Sequence, residues 1–395
     1  MVIGSAGPKM YRPVLTSDAA ARVREPFSTA LSLPICAEVT PFHEGTGRFF
    51  ISDPHNPGKI YLVTARHVLF HPDESPNELY RAHNSGGGRR NVLLFGDDAI
   101  EKHIAAIEPK INGQDVIIEH LEGRLEDTEQ MDKENAEAER NQILPQLEEA
   151  RKNVEALKKF LADNSRDWKK RENRVLGYVV LSPPISFNVG EEVFTEDWAV
   201  IEINNSKVDS TNFVGNVDLG TDIPIDEFTD WMYPTSFKFL RNRLLKFHGT
   251  ISNREMYKPD LRTLDHDHDP YIMVIKRGYA TGLTVGRLNG IRSFTRYYSK
   301  GLPSQMSKEV AVLPRNSKSG PFSANGDSGS AVIDGKGRLA GLLTGGAGVS
   351  ELSDVTYVTS INFLQKRMLE HGLHANFFPS PMLKCQHTYS TQIVH

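Results

Sequence analysis

Short apolar runs separated by turn residues fill a long stretch near the start of this 395-residue chain. Between Pro34 and Glu119 the runs are ICAEVT, GRFFIS, KIYLVTA, NVLLF, KHIAAIE and DVIIE, with glycines and prolines between them. Runs this short and this closely spaced predict β-strands. Their number favours an antiparallel barrel or sandwich over alternating β–α units.

A second series of strand-like runs follows residue 174. These runs are VLGYVVLS, DWAVIEI, RLLKFHGTI, YIMVIKRG, LTVGRL, EVAVLP, SAVID, LAGLLT and VTYVTS. Residues 204–239 separate them into two groups and predict a connection between two β units. Residues 361–368 place three apolar side chains on one helical face, which predicts a C-terminal helix.

A highly charged segment, residues 122–174, interrupts the strand pattern. In it, 26 of 53 residues are charged. A narrow apolar seam with alternating three- and four-residue spacing predicts helix of the coiled-coil type, and it consists of Leu147, Ala150, Val154, Leu157 and Leu161. Because Pro145 is tolerated in a first helical turn but not in an interior, we expect two helices that meet near residues 141–145. They would form a helical hairpin inserted into the first β domain; a single long arm is the alternative.

Composition excludes several classes of protein. The 46 basic and 50 acidic residues give a formal charge of −4, without the basic excess of a nucleic-acid binder. Two cysteines, Cys36 and Cys385, make no disulfide framework, which favours a reducing compartment. Neither a signal peptide nor an apolar run long enough to cross a membrane is visible. We therefore expect a cytoplasmic protein without nucleic-acid or membrane partners.

These patterns divide the chain into seven segments. The predicted segments are an N-terminal tail (1–30), the first part of a first β-barrel (31–121), the charged helical hairpin (122–174), the second part of the first barrel (175–205), a connection (206–240), a second barrel with the C-terminal helix (241–372) and a C-terminal tail (373–395).

Three residues with complementary chemistry lie at the ends of predicted strands. His67 follows the strand of LVTARH, Asp197 precedes the strand of DWAVIEI, and Ser328 lies in the glycine-rich turn NGDSGS. A serine hydroxyl becomes a nucleophile when a histidine takes its proton. The histidine in turn needs a carboxylate that fixes its tautomer. The glycines around Ser328 allow backbone N–H groups to converge on one point, where an oxyanion is stabilised.

These motifs, in the order His, Asp, Ser, resemble those of the trypsin/chymotrypsin-like serine protease family. GTGRFFI before His67 and KRGYATGLTVGRL in the second half are further matches. The resemblance covers roughly residues 33–120 and 175–371. It implies a mainly β fold of two perpendicular, antiparallel six-stranded barrels with the active site in the cleft between them.

The resemblance also implies roles for individual residues. Ser328 is expected to be the nucleophile, His67 the general base and Asp197 the group that orients it. The backbone N–H groups of Gly326 and Ser328 would form the oxyanion hole. Four further residues would line the substrate pocket, and these are Phe322 at its floor and Thr344, Gly345 and Gly346 along its edge. The implied activity is that of a serine endopeptidase that forms an acyl-enzyme on protein or peptide substrates, with no metal and no cofactor.

The sequence departs from the family pattern in four places. Val68 stands where secreted members have a cysteine, which agrees with a protein without disulfides. The helical insertion is foreign to the family. No activation site is visible, so Asp327 lacks the new amino terminus that it would pair with in activatable members. Phe322 is not acidic, which argues against a preference for Lys or Arg.

Two alternatives stay open. Asp115 also precedes an apolar run and lies only 48 residues after His67, so it competes with Asp197 for the orienting role. The D-x-Ala-apolar-apolar pattern favours Asp197. The alternative to an endopeptidase is a protease-like interaction protein with weak or lost catalysis, whose helices recruit partners or a second copy of the chain.

Overall fold

The structure is a computed structural model that describes residues 7–13, 20–30, 32–47, 49–82, 88–220, 223–233, 237–238, 240, 242–265, 268–297, 304–348 and 355–379. Within these residues the helices are α1 (Ala21–Arg24), α2 (Arg66–Leu69), α3 (Asp97–Ala105), α4 (Glu108–Asp127), α5 (Lys133–Asp163), α6 (Ile225–Trp231), α7 (Asn253–Tyr257) and α8 (Ile361–Glu370).

Strands make up most of the remaining regular structure. In the first half of the chain they are β1 (Leu33–Ala37), β2 (Glu44–Gly47), β3 (Phe49–Ile51), β4 (Tyr61–Thr64), β5 (Tyr80–Arg81), β6 (Asn91–Leu94), β7 (Val175–Ser182), β8 (Ser186–Val189), β9 (Phe194–Glu196) and β10 (Ala199–Ile203). In the second half they are β11 (Asn216–Asp218), β12 (Leu244–Lys246), β13 (Gly249–Thr250), β14 (Tyr271–Gly278), β15 (Gly282–Tyr297), β16 (Gln305–Pro314), β17 (Ala331–Asp334), β18 (Arg338–Ala347) and β19 (Val355–Ser360).

The first sheet is an antiparallel, nearly closed barrel. Its eight strands follow the order β2-β1-β6-β7-β10-β4-β3, with β5 paired to β7. The two end strands, β2 and β3, are separated by a single residue along the chain. The sheet therefore curls until its two edges are neighbours.

The second sheet closes into a ring. Strands β18, β17, β14, β15, β16 and β19 pair in that order, and β19 pairs back onto β18. Strand β13 adds to β18 in parallel. The mainly β class and the two barrel-like sheets are thus confirmed, although the first sheet has eight strands where six were expected.

Two runs that were predicted as strands are helical. KHIAAIE lies in α3 and the residues just after it, and DVIIE lies in α4. The reason is the spacing of the apolar residues Ile100, Ile104, Ile107 and Ile111, which repeat every three or four positions and so share one helical face. Short apolar runs do not by themselves distinguish a strand from a helix. The helical part of the chain accordingly begins at Asp97 rather than at residue 122.

The charged segment forms the expected helical hairpin, but the bend lies elsewhere. Helices α4 and α5 are joined by residues 128–132, and the side chain of Asp132 caps α5 by accepting the N–H of Asn135. The predicted bend near residue 145 is wrong, because Pro145 lies inside α5. The cost of an interior proline, about 3 kcal/mol, is offset by an apolar seam that stays buried on both sides of it.

The hairpin packs in two parts. Near its tip, Leu121, Ile143 and Leu147 form a small separate cluster between the two helices. Closer to the barrel, Leu157 and Phe160 belong to the main hydrophobic core. The base of α5 is therefore part of the core.

The N-terminal residues predicted as a tail are packed where the structure describes them. Val23 and Phe27 are buried. The ring of Phe27 contacts the rings of Phe95, Phe160 and Trp168. This aromatic cluster joins the start of the chain to the base of α5. Cys385 and most of the predicted C-terminal tail lie outside the described residues.

No helix among the described residues has both the length and the apolar character needed to span a bilayer.

Candidate active site

The pairing of β4 with β10 brings His67 and Asp197 together. Ala199 of β10 lies opposite Thr64 of β4, so the residues just before β10 face those just after β4. Asp197 lies two residues before the start of β10. His67 lies in α2, which begins two residues after β4 ends. The antiparallel register of these two apolar strands therefore places both residues at the same end of the strand pair.

Asp197 holds His67 through two hydrogen bonds. The backbone N–H of His67 donates to Oδ1 at 3.0 Å, and Nδ1 of the imidazole lies 2.6 Å from Oδ2. Because a carboxylate oxygen only accepts, the proton of the neutral imidazole lies on Nδ1, and Nε2 keeps its lone pair. Burial lowers the pKa of His67, but the charge of Asp197 and its hydrogen bond outweigh burial and raise that pKa above its usual value.

Asp115, the competing carboxylate, lies in the middle of α4. Within the described residues no hydrogen bond or ion pair joins Asp115 to His67, whose ring nitrogen Nδ1 is taken by Asp197. The structure places Asp197, and not Asp115, against the imidazole.

Ser328 lies on a turn between β16 and β17 that reaches across to the first sheet. The carbonyl oxygen of Ser328 accepts the N–H of Thr46 in β2 at 2.8 Å. The next residue, Gly329, has a φ of +90°, and a Cβ there would lie 2.1 Å from the carbonyl oxygen of Thr46. Glycine is thus required for the turn to approach the first sheet this closely. That approach sets Ser328 beside the sheet that carries His67.

Between Gly326 and Ser330, two backbone N–H groups have no acceptor among the described residues. They belong to Gly326 and Ser328, whereas the N–H groups of Asp327, Gly329 and Ser330 donate to carbonyl oxygens. Gly326 has a φ of +97°, which L side chains rarely adopt. Two unpaired donors on alternate residues of one turn are suited to stabilise a negatively charged oxygen.

One cleft of about 490 Å³ contains both His67 and Ser328. Its other walls come from both sheets and consist of Phe42, His43, Glu44, Val68, His71, Tyr279, Ala280, Asn325 and Gly326. In the described part of the chain no hydrogen bond joins Ser328 to His67, whose hydrogen bonds go to Asp197. Contacts of this kind often tighten only when a substrate is bound.

Asp327, beside Ser328, is ion-paired with Lys276 of β14. Nζ of Lys276 lies 2.9 Å from Oδ2 of Asp327, and neither side chain has exposed surface. The N–H groups of Ala280 and Thr281 donate to Oδ1 at 3.0 and 3.2 Å. The partner that the sequence left unidentified is therefore an internal lysine. This buried pair ties the turn to the strand beneath it.

The predicted pocket residues lie on β18 and in the loop that precedes β17, outside the cleft that contains Ser328. Phe322 is buried, and its ring packs so close to Gly286 that a Cβ there would lie 2.6 Å from it. Thr344 is half-buried on β18, and Gly346 lies near Ser323. None of these residues lines the cleft that contains Ser328. The substrate pocket stays a prediction.

Among the described residues no group of three or more His, Cys, Asp or Glu side chains is arranged to hold a metal ion. Cys36 is buried in β1, and burial raises the pKa of its thiol to about 12. This thiol is therefore protonated at neutral pH and is not a nucleophile.

Comparison with known proteins gives distant structural neighbours and no sequence match. No protein-family model matches the chain, and no curated protein matches it either. One similar solved structure is a glutamic acid specific serine protease with a histidine triad in substrate binding, at 11% identity and a TM-score of 0.38, covering 88% of this chain and 97% of that one.

A second neighbour is a Nocardiopsis protease, at 11% identity and a TM-score of 0.36, covering 86% of this chain and 96% of that one. A third is Thermobifida fusca Protease A, at 10% identity and a TM-score of 0.36, covering 89% of this chain and 99% of that one. With identities this low and TM-scores below 0.5, conclusions about this chain rest on its own residues.

Lys276 is the functional candidate that reading the sequence missed. It lies in the apolar run YIMVIKRG, and a lysine in the middle of a buried strand is a signal that it has a buried acidic partner. The sequence does not identify that partner, because Asp327 lies 51 positions further along the chain.

Proposed function

We propose that this chain is a serine endopeptidase in which Ser328 is the nucleophile, His67 the general base and Asp197 the group that orients His67. The observation that carries the proposal is the hydrogen-bonded His67–Asp197 pair, whose imidazole lines the same cleft as Ser328. An imidazole with its proton fixed on Nδ1 and a raised pKa is suited to take the proton of a serine hydroxyl near neutral pH.

The proposed reaction proceeds through an acyl-enzyme. Oγ of Ser328 forms a bond to the carbonyl carbon of the peptide while its proton passes to Nε2 of His67. The carbonyl oxygen takes up the negative charge and accepts hydrogen bonds from the N–H groups of Gly326 and Ser328. The C–N bond then breaks, the proton moves from Nε2 to the departing amine, and an ester remains on Ser328.

Water completes the cycle by the same route. His67 takes a proton from water as the water oxygen bonds to the ester carbon. The bond to Oγ of Ser328 then breaks, His67 returns the proton to Oγ, and the carboxylic acid product leaves. One water is consumed and one peptide bond is cleaved in each turnover.

The buried pair of Lys276 and Asp327 supports activity without a prior cleavage. In the proposed enzyme, Lys276 supplies inside the fold the positive charge that holds the Ser328 turn. We therefore propose that the chain is active as synthesised. A protein purified without protease treatment should react as fully as one treated with trypsin.

The proposed substrate preference is for apolar or small side chains before the cleaved bond. Phe322 at the proposed pocket floor has no charge to pair with Lys or Arg, and an unpaired buried charge is costly. Thr344, Gly345 and Gly346 are the proposed edge for the substrate backbone. Cleavage of a peptide library, sequenced by mass spectrometry, tests this: a profile dominated by Lys or Arg would contradict it.

A serine-directed fluorophosphonate probe tests the proposed activity. The wild-type protein should be labelled at Ser328, and Ser328→Ala and His67→Ala should not be labelled. Ser323→Ala is the matched control, because Ser323 lies in the same loop and its hydroxyl is hydrogen-bonded to that of Thr356. This variant should be labelled like the wild-type protein. Label on another serine, or none on the folded wild-type protein, would refute the proposal.

The two carboxylates give a second arm of the same test. Asp197→Asn should slow labelling by roughly 10⁴, because the imidazole then takes the wrong tautomer. Asp115→Asn should label at the wild-type rate. The reverse ranking would move the orienting role to Asp115.

An interaction protein with weak or lost catalysis is the second candidate function. It is favoured by exposed apolar side chains on the helical hairpin, at Val116 and Ile117 of α4 and Leu144 of α5. Sedimentation measures the self-association of the wild-type protein and of a variant in which three residues are replaced together: Val116→Ser, Ile117→Ser and Leu144→Ser. A folded wild-type protein that ignores the probe but associates through these residues would favour this function over the endopeptidase.

A further inference from the structure

A fully buried glutamate lies directly behind the segment that carries Asp197. Glu309 of β16 has no exposed surface. Its Oε1 accepts the backbone N–H of Thr195 at 3.1 Å, and its Oε2 accepts the hydroxyl of Thr359 at 3.5 Å. Thr195 lies on β9, two residues before Asp197. Glu309 therefore links the second sheet to the strand that delivers Asp197.

This contact is part of a longer attachment between β9 and β16. The N–H of Lys308, next to Glu309, donates to the carbonyl oxygen of Val193 at 2.9 Å. On the other side of Thr195, Glu196 is held by Arg367 of α8, whose Nε and Nη2 donate to its carboxylate at 2.7 and 2.8 Å. Two buried carboxylates, those of Glu309 and Glu196, therefore fix the segment that leads into Asp197. Of these two carboxylates, Glu309 is the one that belongs to the second sheet.

Glu309 differs from an ordinary glutamate in its ionisation. Burial and, to a lesser degree, the charge of Asp197 raise its pKa to about 7, against hydrogen bonds from Thr195 and Thr359 that lower it. The other titratable groups that face it are Arg292 and Tyr297 of β15 and Tyr357 of β19. Burial raises the pKa of both tyrosines, so they stay neutral, and an arginine keeps its charge. Glu309 is the group of this set that changes charge near neutral pH.

We propose that Glu309 is a positioning residue for the candidate active site: it holds the backbone that leads into Asp197, and the charge on its carboxyl adds to that of Asp197 in favouring a proton on His67. A charged Glu309 adds to the field of Asp197 and favours the protonated imidazole. A neutral Glu309 removes that contribution. The catalytic consequence rests on the proposed function, but the effect on His67 is present in the resting protein.

Two groups that interact and titrate in the same range do not follow independent curves. As pH rises, Glu309 loses its proton and thereby helps His67 to keep its own. The titration of His67 in the wild-type protein should therefore extend over a wider pH range than that of a single isolated group. Replacing Glu309 by a neutral residue should restore a curve for one proton.

The test is an NMR titration of the full chain labelled with ¹⁵N-histidine, in which His67 is assigned by its absence from His67→Gln. Glu309→Gln keeps an oxygen to accept the N–H of Thr195 and removes the charge. We expect a one-proton curve for His67 in this variant, with its midpoint lowered by about half a pH unit. Glu202→Gln is the matched control, because Glu202 is a half-buried glutamate of β10 paired with Lys59, and it should leave the curve unchanged.

A second variant guards against misfolding of Glu309→Gln. Thr359→Val removes the hydroxyl donor to Oε2 and leaves the carboxyl in place, which should move the Glu309-dependent part of the His67 curve to higher pH. Identical His67 curves in the wild-type protein and in whichever variants fold would overturn the proposal. If the fluorophosphonate probe fails on wild type while the curves differ as expected, the endopeptidase falls and the coupling of Glu309 to His67 stands.

Discussion

The two sheets contribute to the candidate active site in different ways. The first sheet places His67 and Asp197 by strand register, since Thr64 of β4 lies opposite Ala199 of β10. Many backbone hydrogen bonds along these strands fix that register. The second sheet supplies Ser328 on an irregular turn rather than on a strand.

The turn of Ser328 depends on contacts that individual residues make. Gly329 allows its approach to Thr46, and Lys276 neutralises the buried charge of Asp327. Register is distributed over whole strands, whereas the turn relies on single residues. We therefore expect the second sheet's half of the site to be the more sensitive to point substitutions.

The largest expected effect is the loss of peptide hydrolysis when the proposed nucleophile or the proposed base is removed. In this respect the two sheets should behave alike. Ser328→Ala from the second sheet and His67→Ala from the first should each lower peptide hydrolysis by about 10⁴ to 10⁶. The double variant should be no worse than either, because residues that act as a unit are not additive. Steady-state kinetics on a peptide substrate measure all three. Losses that multiply would mean that the two residues act independently.

Two glycines with nearly equal φ angles sharpen the comparison. Gly58 has a φ of +89° and open space around it, whereas a Cβ on Gly329 would meet Thr46. Gly58→Ala should cost about 1–2 kcal/mol in the free energy of unfolding. Gly329→Ala should cost at least a further 1–3 kcal/mol from overpacking and should abolish probe labelling. Equal losses in chemical denaturation would show that the close approach is not required.

The buried ion pair is the next test. Lys276→Met leaves the Asp327 carboxylate unpaired in the core, which should cost about 3–5 kcal/mol and slow labelling of Ser328. Adding Asp327→Asn should recover part of that stability, because no charge is then left unpaired. Lys152→Met is the control, since Lys152 is exposed and pairs with Glu148 within α5; it should change nothing measurable. A stable, fully reactive Lys276→Met would contradict this role.

The helical hairpin should separate into a dispensable tip and an essential base. Asn153 of α5 donates to Gln114 of α4 at 3.2 Å, so replacing residues 115–152 by a short Gly-Ser linker joins ends that are already close. That deletion should leave the melting temperature nearly unchanged. Replacing residues 108–168 removes Phe160 and Trp168 from the main core and should prevent folding. Loss of folding with the shorter deletion would make the tip a structural element.

The smallest expected effect is on the pH dependence. The charge of Asp197 raises the pKa of His67 although burial works against it. Since the proposed base acts in its neutral form, kcat/KM should rise with pH to a midpoint above 6.5, the usual value for histidine. Well below that midpoint, where Glu309 is already protonated, the rate should fall about tenfold for each pH unit. A midpoint below 6.5 would mean that burial outweighs Asp197.

Short local patterns in the sequence predict most of the β structure and the three candidate site residues. His67, Asp197 and Ser328 were found because each adjoins an apolar strand in a recognisable short motif. The helix at Ile100–Ile111 was missed because its apolar residues fall in short runs that also suit strands. The partnership of Lys276 with Asp327 was missed because it depends on which strands become neighbours, and no local pattern encodes that.

The most direct test of the central claim is a crystal structure of the protein after reaction with a fluorophosphonate. The account predicts phosphorus bonded to Oγ of Ser328. One phosphoryl oxygen should lie about 2.7–3.1 Å from the backbone nitrogens of both Gly326 and Ser328, with Nε2 of His67 within hydrogen-bond distance of Oγ. Modification of another residue, or a phosphoryl oxygen that turns away from both N–H groups, would contradict the account.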